Sequence, residues 1–368
     1  MTPILRSNRR AFLSALAILS FGVAACQSNP PSTPSANSPA APAAEGGGDV
    51  SATLSGAGAS FPAPLYQRWF AELNKQYPGL QISYQSVGSG AGVEQFLAGT
   101  VDFGATDAPL KDEERQQFQS KYSAEPIQIP MTGGEVVFAY NLEGVENLQL
   151  SRQAYCGIVA GEITNWNDPA IAQANEGAQL PDQPINFVHR SDGSGTTFIF
   201  TTHLAEACPN WQAGASKSVE WPTGTGAKGN EGITAQVQQS PGSIGYVEYA
   251  YANENGLTMA TLENKAGEFV APSPESGTAA LEGQQPGDDF ALSVPDPDGQ
   301  DAYPIVGLTY LLLYPQYDDP NKAKAIQSMV DWATTDGKQY ATELGYIPLD
   351  DQLSDRVKQT VDEKLGGK

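Results

Sequence analysis

Three short segments of the chain combine glycine, serine and threonine in a way that suits the binding of a small anion. They span residues 55–61, 88–92 and 190–196, and each joins an apolar segment to a segment with helical spacing. The first turn of a helix has backbone N–H groups without partners and a partial positive charge, so it attracts anions. Glycine lets the backbone approach a ligand closely. The hydroxyl groups beside these amides belong to Ser60, Ser89, Ser194 and Thr196.

Arg190 adds a cation to the third segment. Its planar guanidinium can donate two parallel hydrogen bonds to two oxygens of one anion. If the three segments meet at one point, they surround a small tetrahedral oxyanion with donors. The alternative for each segment taken alone is an ordinary turn in which the serine caps the following helix. The residues by themselves leave both interpretations open.

The elements that would position these segments alternate between strands and helices. Apolar segments at residues 52–54, 80–84 and 185–188 predict strands, and the segments after them predict helices. Further strands are predicted at residues 135–140, 245–249 and 305–314, and further helices at 323–333 and 353–365. Residues 263–303, rich in proline, glycine and acids, predict a long loop region with one short helix. The alternation favours parallel α/β sheets, in which ligands bind beyond the carboxyl ends of strands.

The composition is strongly acidic, with 20 Lys and Arg against 42 Asp and Glu and a net charge of −22. This acidic composition argues against binding to nucleic acids and against binding to membranes through a basic surface. Three Cys and two His argue against a zinc module, and neither a metal nor a cofactor is predicted. An anion can still bind, because surface charges are screened over about 8 Å at physiological ionic strength. Charge-assisted hydrogen bonds of about 1.5–3 kcal/mol each act at contact distance.

Residues 1–25 predict a signal peptide. Three arginines precede an apolar segment at residues 11–22, which is too short to span a bilayer. The small residues before Cys26 resemble a bacterial lipobox, in which the cysteine becomes the lipidated first residue. An ordinary cleaved signal with an incidental Cys26 is the alternative. Residues 8–13 also resemble a twin-arginine export motif, so Sec and Tat export both stay open.

Residues 26–49 predict a flexible tether, because proline, serine and glycine dominate them. The globular part would then begin near residue 50, as an exported lipoprotein of the periplasm or cell surface anchored to a bacterial membrane. An oxidising compartment permits a disulfide between Cys156 and Cys208. Two separate buried thiols are the alternative for this pair.

Longer motifs in the globular part resemble the PstS-type phosphate-binding proteins of ABC phosphate importers. They lie at residues 56–64, 101–110, 190–196, 228–233 and 241–252, and the resemblance extends from about residue 52 to the end of the chain. It implies the type II periplasmic-binding-protein (Venus flytrap) fold, in which two α/β lobes are joined by a two-crossing hinge. Lobe 1 would comprise residues 50–131 and 305–368, and lobe 2 residues 132–304.

The resemblance also implies a set of phosphate-binding residues. They are Ser60, Phe61 through its backbone amide, Ser89, Asp107, Arg190, Ser194, Gly195 and Thr196. Asp192 is expected to orient Arg190. Ser60 replaces the more usual Thr, and His189 stands where some relatives have a second Arg, a departure expected to tune affinity. The implied partners are inorganic phosphate and the permease subunits of an ABC importer, and we expect a monomer without catalytic activity.

Asp107 has a physical role that does not depend on the resemblance. A carboxylate facing an anion repels it unless the ligand has a proton to donate. Phosphate near neutral pH has such a proton and sulfate has none, so a buried acceptor can discriminate strongly between them. The alternative for Asp107 alone is a turn residue before Pro109.

Other functions fit the residues less well. A hydrolase would use Ser194 as nucleophile with His189 or His203 as base, but residues 191–195 do not form the G-x-S-x-G turn. A binder of another oxyanion is disfavoured by Asp107. A phosphate sensor that does not transport could keep every site residue, so this alternative stays open.

A calcium site is also disfavoured. Asp296, Asp298 and Asp301 suggest such a loop, but the ligand spacing and the terminal Glu are incomplete. These acids therefore predict a solvated loop.

Overall fold

The computed structural model describes residues 50–366 of the chain. The predicted signal peptide, Cys26 and the predicted tether lie outside the described residues. Within residues 50–366, none of the helices has both the length and the apolar character that crossing a bilayer requires.

Strands and helices alternate along most of the described chain. In residues 50–366 the strands are β1 (Ala52–Gly58), β2 (Leu80–Ser86), β3 (Phe103–Thr106), β4 (Ile127–Tyr140), β5 (Gln149–Leu150), β6 (Asn186–Arg190), β7 (Thr225–Ala227), β8 (Ser243–Glu248), β9 (Thr258–Met259), β10 (Thr261–Glu263), β11 (Phe269–Val270), β12 (Val306–Leu313) and β13 (Ile347–Pro348). The helices are α1 (Ala63–Gln76), α2 (Ser89–Ala98), α3 (Asp112–Tyr122), α4 (Arg152–Ala160), α5 (Pro169–Ala172), α6 (Gly195–Ala207), α7 (Gly229–Gln239), α8 (Tyr249–Glu254), α9 (Pro274–Leu281), α10 (Pro320–Ala333), α11 (Lys338–Leu344) and α12 (Asp351–Leu365).

The long strand β4 connects two lobes. Its first half pairs with β12 in a lobe built on the strand order β2-β1-β3-β12, and its second half pairs with β8 in a lobe built on β8-β6-β7. All fourteen residues of β4 are buried, including the polar Gln128, Thr132 and Glu135, as expected for a strand covered on both faces. The chain returns beside β4 at residue 305, whose carbonyl accepts a hydrogen bond from Val136 N–H (2.9 Å). The α/β class and the two-lobe arrangement are therefore confirmed.

The sheets are mixed rather than wholly parallel. β1 is parallel to β2 and β3, and β6 is parallel to β7 and β8, as the alternation of strands and helices predicts. β12 is antiparallel to both neighbours and β4 is antiparallel to β8, because these strands carry the chain between the lobes. The parallel strands are the ones whose carboxyl ends lead into the three glycine-rich loops.

Helix packing follows the apolar spacing of the sequence. On α1, Leu65, Trp69 and Leu73 recur every four residues and are buried on one face. The predicted stripe of α12, from Leu353 to Leu365, is buried in the same way. Two strand boundaries differ from the prediction. The strand predicted at 135–140 begins at Ile127, and the segment 245–249 ends as a strand at Glu248, whose side chain caps α8.

A disulfide and a salt bridge connect elements of the second lobe. Cys156 of α4 and Cys208 at the end of α6 form a disulfide, with 5.5 Å between their Cα atoms. Arg152, also on α4, donates two hydrogen bonds to Asp296 (2.9 and 2.8 Å). Asp296 is only 8% exposed, so the prediction of a solvated acidic loop was wrong for this residue. Its carboxylate is buried because the Arg152 guanidinium neutralises it.

Candidate functional site

The first glycine-rich loop, between β1 and α1, places a buried hydroxyl beside the second lobe. Ser60 is 1% exposed and does not cap α1, whose first turn begins after Pro62 without a side-chain cap. Instead its Oγ accepts hydrogen bonds from the backbone N–H (3.1 Å) and the side-chain amide (2.9 Å) of Asn230. Phe61, also buried, accepts a hydrogen bond from Tyr346 at its carbonyl oxygen (2.7 Å), so its backbone is fixed.

The second loop, between β2 and α2, places Ser89 at the centre of a contact between the lobes. The residue before it, Gly88, has φ 94°, a backbone conformation that glycine adopts without strain. Ser89 Oγ accepts hydrogen bonds from the backbone N–H of Asp107 (3.2 Å) and from that of Gly195 (3.0 Å). Ser89 therefore joins the first lobe to the start of α6 in the second.

The third loop, between β6 and α6, carries the cation. Arg190 is 3% exposed and donates two hydrogen bonds to Asp192, from Nε (2.8 Å) and Nη2 (2.6 Å). A third donation, from Nη1 to Thr196 Oγ1 at 3.3 Å, is long. Ser194 caps α6 by accepting a hydrogen bond from Thr197 N–H (3.0 Å), which leaves its own hydroxyl hydrogen available. The turn interpretation therefore applies to Ser194 but not to Ser60 or Ser89.

Asp107 lies where the two lobes meet. It follows β3, is 2% exposed, and its Oδ1 accepts a hydrogen bond from Thr309 Oγ1 on β12 (2.8 Å). Its Oδ2 is 3.5 Å from Ser89 Oγ, which is too long for a strong bond. A Cβ added at Gly195 would lie 2.5 Å from this oxygen. Asp107 Oδ2 therefore faces the N-terminus of α6 and can accept a further hydrogen bond.

The site contains one charged guanidinium, that of Arg190, and one carboxyl group, that of Asp107, whose pKa is near 7. Burial alone would lower the pKa of Arg190, but Asp192 raises it above its usual value, so the guanidinium is charged. The pKa of Asp192 is lowered: burial opposes ionisation, and the hydrogen bond from Arg190 outweighs it. Burial raises the pKa of Asp107 to about 7, although Thr309 and Arg190 favour its ionised form.

Three residues at the site were missed by sequence reasoning. Asn230 is fully buried, and its side-chain amide also donates to Thr196 Oγ1 (3.1 Å). Thr309 holds Asp107, and Tyr246 Oη accepts a hydrogen bond from Arg190 N–H (3.1 Å). Asn230 and Tyr246 lie in motifs noted at residues 228–233 and 241–252, so their motifs were visible but their roles were not. Thr309 lies in an apolar segment whose sequence gives no such signal.

The histidines do not support the hydrolase alternative. His203 is 1% exposed, contacts Tyr155 Oη (3.1 Å) and the Pro295 carbonyl (2.8 Å), and burial lowers its pKa to about 4. His189 contacts the Arg190 carbonyl (3.0 Å) and stacks on Trp221. Neither forms a hydrogen bond with Ser194 in the described structure. Within residues 50–366, no cluster of three or more His, Cys, Asp or Glu side chains is placed to hold a metal ion.

Comparison with known proteins shows which family the chain belongs to. The profile described as "PBP superfamily domain" matches residues 43–337. Phosphate-binding protein PstS of Pasteurella multocida is 44% identical over 312 residues, which cover 83% of this chain and 89% of that protein. Phosphate-binding protein PstS of Haemophilus influenzae is 41% identical over 83% of this chain and 91% of its own. The chain belongs to the PstS family of phosphate-binding proteins. The relatives are named as binding proteins, not as enzymes.

Solved structures agree with the fold of the PstS family. A phosphate-binding protein from Stenotrophomonas maltophilia superposes with a TM-score of 0.68 at 20% identity, over 84% of this chain and 94% of its own. A high-affinity periplasmic phosphate-binding protein, bound with phosphate, superposes with a TM-score of 0.71 at 22% identity, over 85% of this chain and 93% of its own. These likenesses establish the type II periplasmic-binding-protein fold.

Proposed function

We propose that the protein binds inorganic phosphate between its two lobes. The observation that carries the proposal is a buried carboxyl, Asp107, whose Oδ2 faces the N-terminus of α6 beside the charged Arg190. Donors alone would suit any small oxyanion, but a carboxyl acceptor among them suits an anion that carries a proton. The names of the PstS relatives support the same ligand.

The proposed ligand contacts divide between the lobes. From the first lobe, Ser60 and Ser89 offer hydroxyl groups, Phe61 its backbone N–H, and Asp107 its Oδ2. From the second lobe the donors are Arg190, Ser194, Gly195 and Thr196. Arg190 Nη1 makes only the long 3.3 Å contact with Thr196, so it can donate to an anion while Nε and Nη2 stay paired with Asp192. Asp192 occupies the other side of the guanidinium and orients it.

Closure of the lobes is the motion we propose for binding. We assign residues 50–131 and 305–368 to lobe 1 and residues 132–304 to lobe 2, with the hinge where β4 and the chain at residue 305 pass between them. Gly195 N–H donates to Ser89 Oγ across the two lobes, and a bound phosphate would replace Ser89 Oγ as its acceptor. Closure removes water from the phosphate, which strengthens each hydrogen bond to it.

Delivery of phosphate to an ABC importer completes the proposal. The protein would act as a monomer, exported and held to a bacterial membrane through lipidated Cys26 and the tether of residues 26–49. The loaded form would dock on the permease subunits, with no covalent chemistry on the protein. The acidic surface slows encounter with phosphate without preventing binding, because the donors act at contact distance.

Calorimetric titration of the phosphate-free protein tests this function. We expect one phosphate per chain in the wild type. Arg190→Ala should weaken binding at least about 100-fold, since charge-assisted hydrogen bonds contribute about 1.5–3 kcal/mol each. Arg68→Ala is the matched control, because this arginine is 48% exposed and pairs with Glu72 on the surface of α1. No phosphate binding by the wild type, or near-native affinity in Arg190→Ala, would contradict the proposal.

A further inference from the structure

A fully buried carboxyl group, Glu248, lies behind the first loop of the site. Glu248 ends β8, and none of its surface is exposed. Its backbone N–H donates to Asn230 Oδ1 (3.1 Å), and the amide group of the same Asn230 donates to Ser60 (2.9 Å). Its side-chain Oε1 accepts a hydrogen bond from Ala250 N–H (3.0 Å). Glu248 thus supports residues of the site while lying outside the proposed phosphate contacts.

The other carboxyl oxygen of Glu248 contacts a phenol from the opposite lobe. Tyr346 Oη lies 3.2 Å from Glu248 Oε2 and 2.7 Å from the carbonyl oxygen of Phe61. A hydrogen bond at either contact needs a hydrogen between the two oxygens, and the contact to Glu248 is longer than the usual O–H···O range of about 2.5–3.0 Å. The phenol supplies one, the Phe61 carbonyl supplies none, and 2.7 Å is the usual length of a full O–H···O bond. The phenol hydrogen therefore lies on the Phe61 contact, and Oε2 of an ionised Glu248 would face the phenol oxygen with no hydrogen between them.

The surroundings of Glu248 favour this protonated form. The titratable groups that face it are Tyr249 and Tyr251 of α8, Tyr346 of the opposite lobe and Asp107 after β3. These groups are neutral or acidic. Arg190, the buried cation of the site, is held by Asp192, and within residues 50–366 no basic side chain forms a salt bridge with Glu248. Burial, with a smaller contribution from Asp107, raises the pKa of Glu248 well above its usual value.

We propose that Glu248 is held as a neutral carboxylic acid whose proton bonds Tyr346, and that this bond fixes Phe61 at the phosphate site. Glu248 is then a positioning residue rather than a ligand. The bond joins β8 of the second lobe to the segment before β13 in the first, so it also helps to hold the lobes in their present arrangement. The positioning role rests on the proposed phosphate function, whereas the protonation of Glu248 does not.

Infrared difference spectroscopy tests the protonation directly. The spectrum of the phosphate-free wild type minus that of Glu248→Gln at pH 7 should contain the carbonyl stretch of a protonated carboxylic acid. Buried Glu135 is present in both proteins and cancels, and repeating the measurement with Asp107→Asn in both proteins removes the contribution of Asp107, whose pKa of about 7 responds to nearby charge. Carboxylate bands in place of the acid band would overturn the proposal. This measurement needs no ligand, so it is independent of whether the protein binds phosphate.

The pH dependence of unfolding gives a second readout. Because the pKa of Glu248 is higher in the folded than in the unfolded protein, the folded state binds the proton more tightly, and wild-type stability falls as pH rises above the usual range of glutamate. The melting temperature of Glu248→Gln relative to wild type should therefore increase with pH. Glu254→Gln, an exposed change on α8, the helix that Glu248 caps, is the matched control. A difference that stays constant with pH would contradict the proposal.

Phosphate affinity tests the positioning role. Glutamine keeps an acceptor and a donor, so Glu248→Gln should bind phosphate within about 3-fold of wild type, which corresponds to less than 1 kcal/mol. Tyr346→Phe should lose about 5- to 10-fold, because the buried Phe61 carbonyl loses its hydrogen bond. Tyr340→Phe is the matched control for this change. Glu248→Ala removes the donor and should lose about as much affinity as Tyr346→Phe. Near-native affinity in Glu248→Ala, or a loss in Glu248→Gln as large as that in Tyr346→Phe, would overturn the role. If the wild type binds no phosphate, the positioning role fails with the proposed function, and the infrared band still decides the protonation.

Discussion

Replacing Asp107 by asparagine should change which anion the protein accepts. In the wild type, Thr309 donates to Oδ1 at 2.8 Å, whereas the nearest hydroxyl to Oδ2, that of Ser89, is 3.5 Å away. Oδ2 is therefore the oxygen left to accept a proton from the ligand. In Asp107→Asn the same Thr309 bond would hold the amide oxygen, so the amide NH₂ would point into the site. A donor would then replace an acceptor.

The size of the effect follows from one charge-assisted hydrogen bond. Losing the bond from the phosphate hydroxyl to a carboxylate should cost about 1.5–3 kcal/mol, or roughly 10- to 150-fold in phosphate affinity. Sulfate should gain, because an unprotonated oxygen would meet an N–H donor instead of a buried carboxylate. The ratio of phosphate to sulfate affinity should therefore fall by at least about 100-fold when both effects are combined.

Calorimetric titration with phosphate and with sulfate at pH 8 measures this ratio. At that pH most of the wild-type Asp107 is ionised, since its pKa is about 7 in the ligand-free protein. Asp318→Asn makes the same charge change at an exposed position and should leave the ratio unchanged. Unchanged selectivity in a cooperatively folded Asp107→Asn protein would refute the assignment of Asp107 as the discriminating acceptor.

Four further predictions follow from the contacts described. Gly195→Ala should weaken phosphate binding at least about 100-fold in calorimetry, since its Cβ would lie 2.5 Å from Asp107 and hold the lobes apart. Asn230→Ala should weaken binding about 10-fold, because the hydroxyl groups of Ser60 and Thr196 both lose the side-chain amide that donates to them. Reducing the disulfide, whose cysteines are 52 residues apart, should lower the free energy of unfolding by about 4 kcal/mol in denaturant titrations. Burial raises the pKa of Glu135 to about 8, so this carboxyl makes the folded protein less stable as pH rises from about 4.5 to 8; Glu135→Gln should flatten that part of the melting profile. An affinity, unfolding free energy or melting profile that stays unchanged would contradict the role assigned to the corresponding residue.

Much of the framework could be predicted because strand, loop and helix signals are local. The strands and helices that flank the three glycine-rich loops form as the sequence predicts, although β1 and β6 extend to Gly58 and Arg190 and α2 begins at Ser89, inside the predicted loops. The stripe of α12 packs as its spacing requires. Local signals do not report pairing direction. The antiparallel β12 could not be predicted from periodicity, because its direction depends on how the chain returns from the second lobe.

Site contacts between residues close in the sequence could be predicted. Contacts that only the tertiary fold creates could not. Arg190 and Asp192 are two residues apart, and the structure joins them by two hydrogen bonds. Thr309 and Asp107 are 202 residues apart, so only the fold brings them together. The buried state of Asp296 depends on Arg152, 144 residues earlier, which is why charge alone predicted a solvated loop.

A crystal structure of the phosphate complex would test the central claim most directly. The proposal predicts one phosphate between the lobes, within hydrogen-bond distance of Arg190, Ser89 and the backbone N–H of Gly195. One phosphate oxygen should lie within hydrogen-bond distance of Asp107 Oδ2. Phosphate bound elsewhere, or held between the lobes with Asp107 turned away from it, would contradict the proposed site.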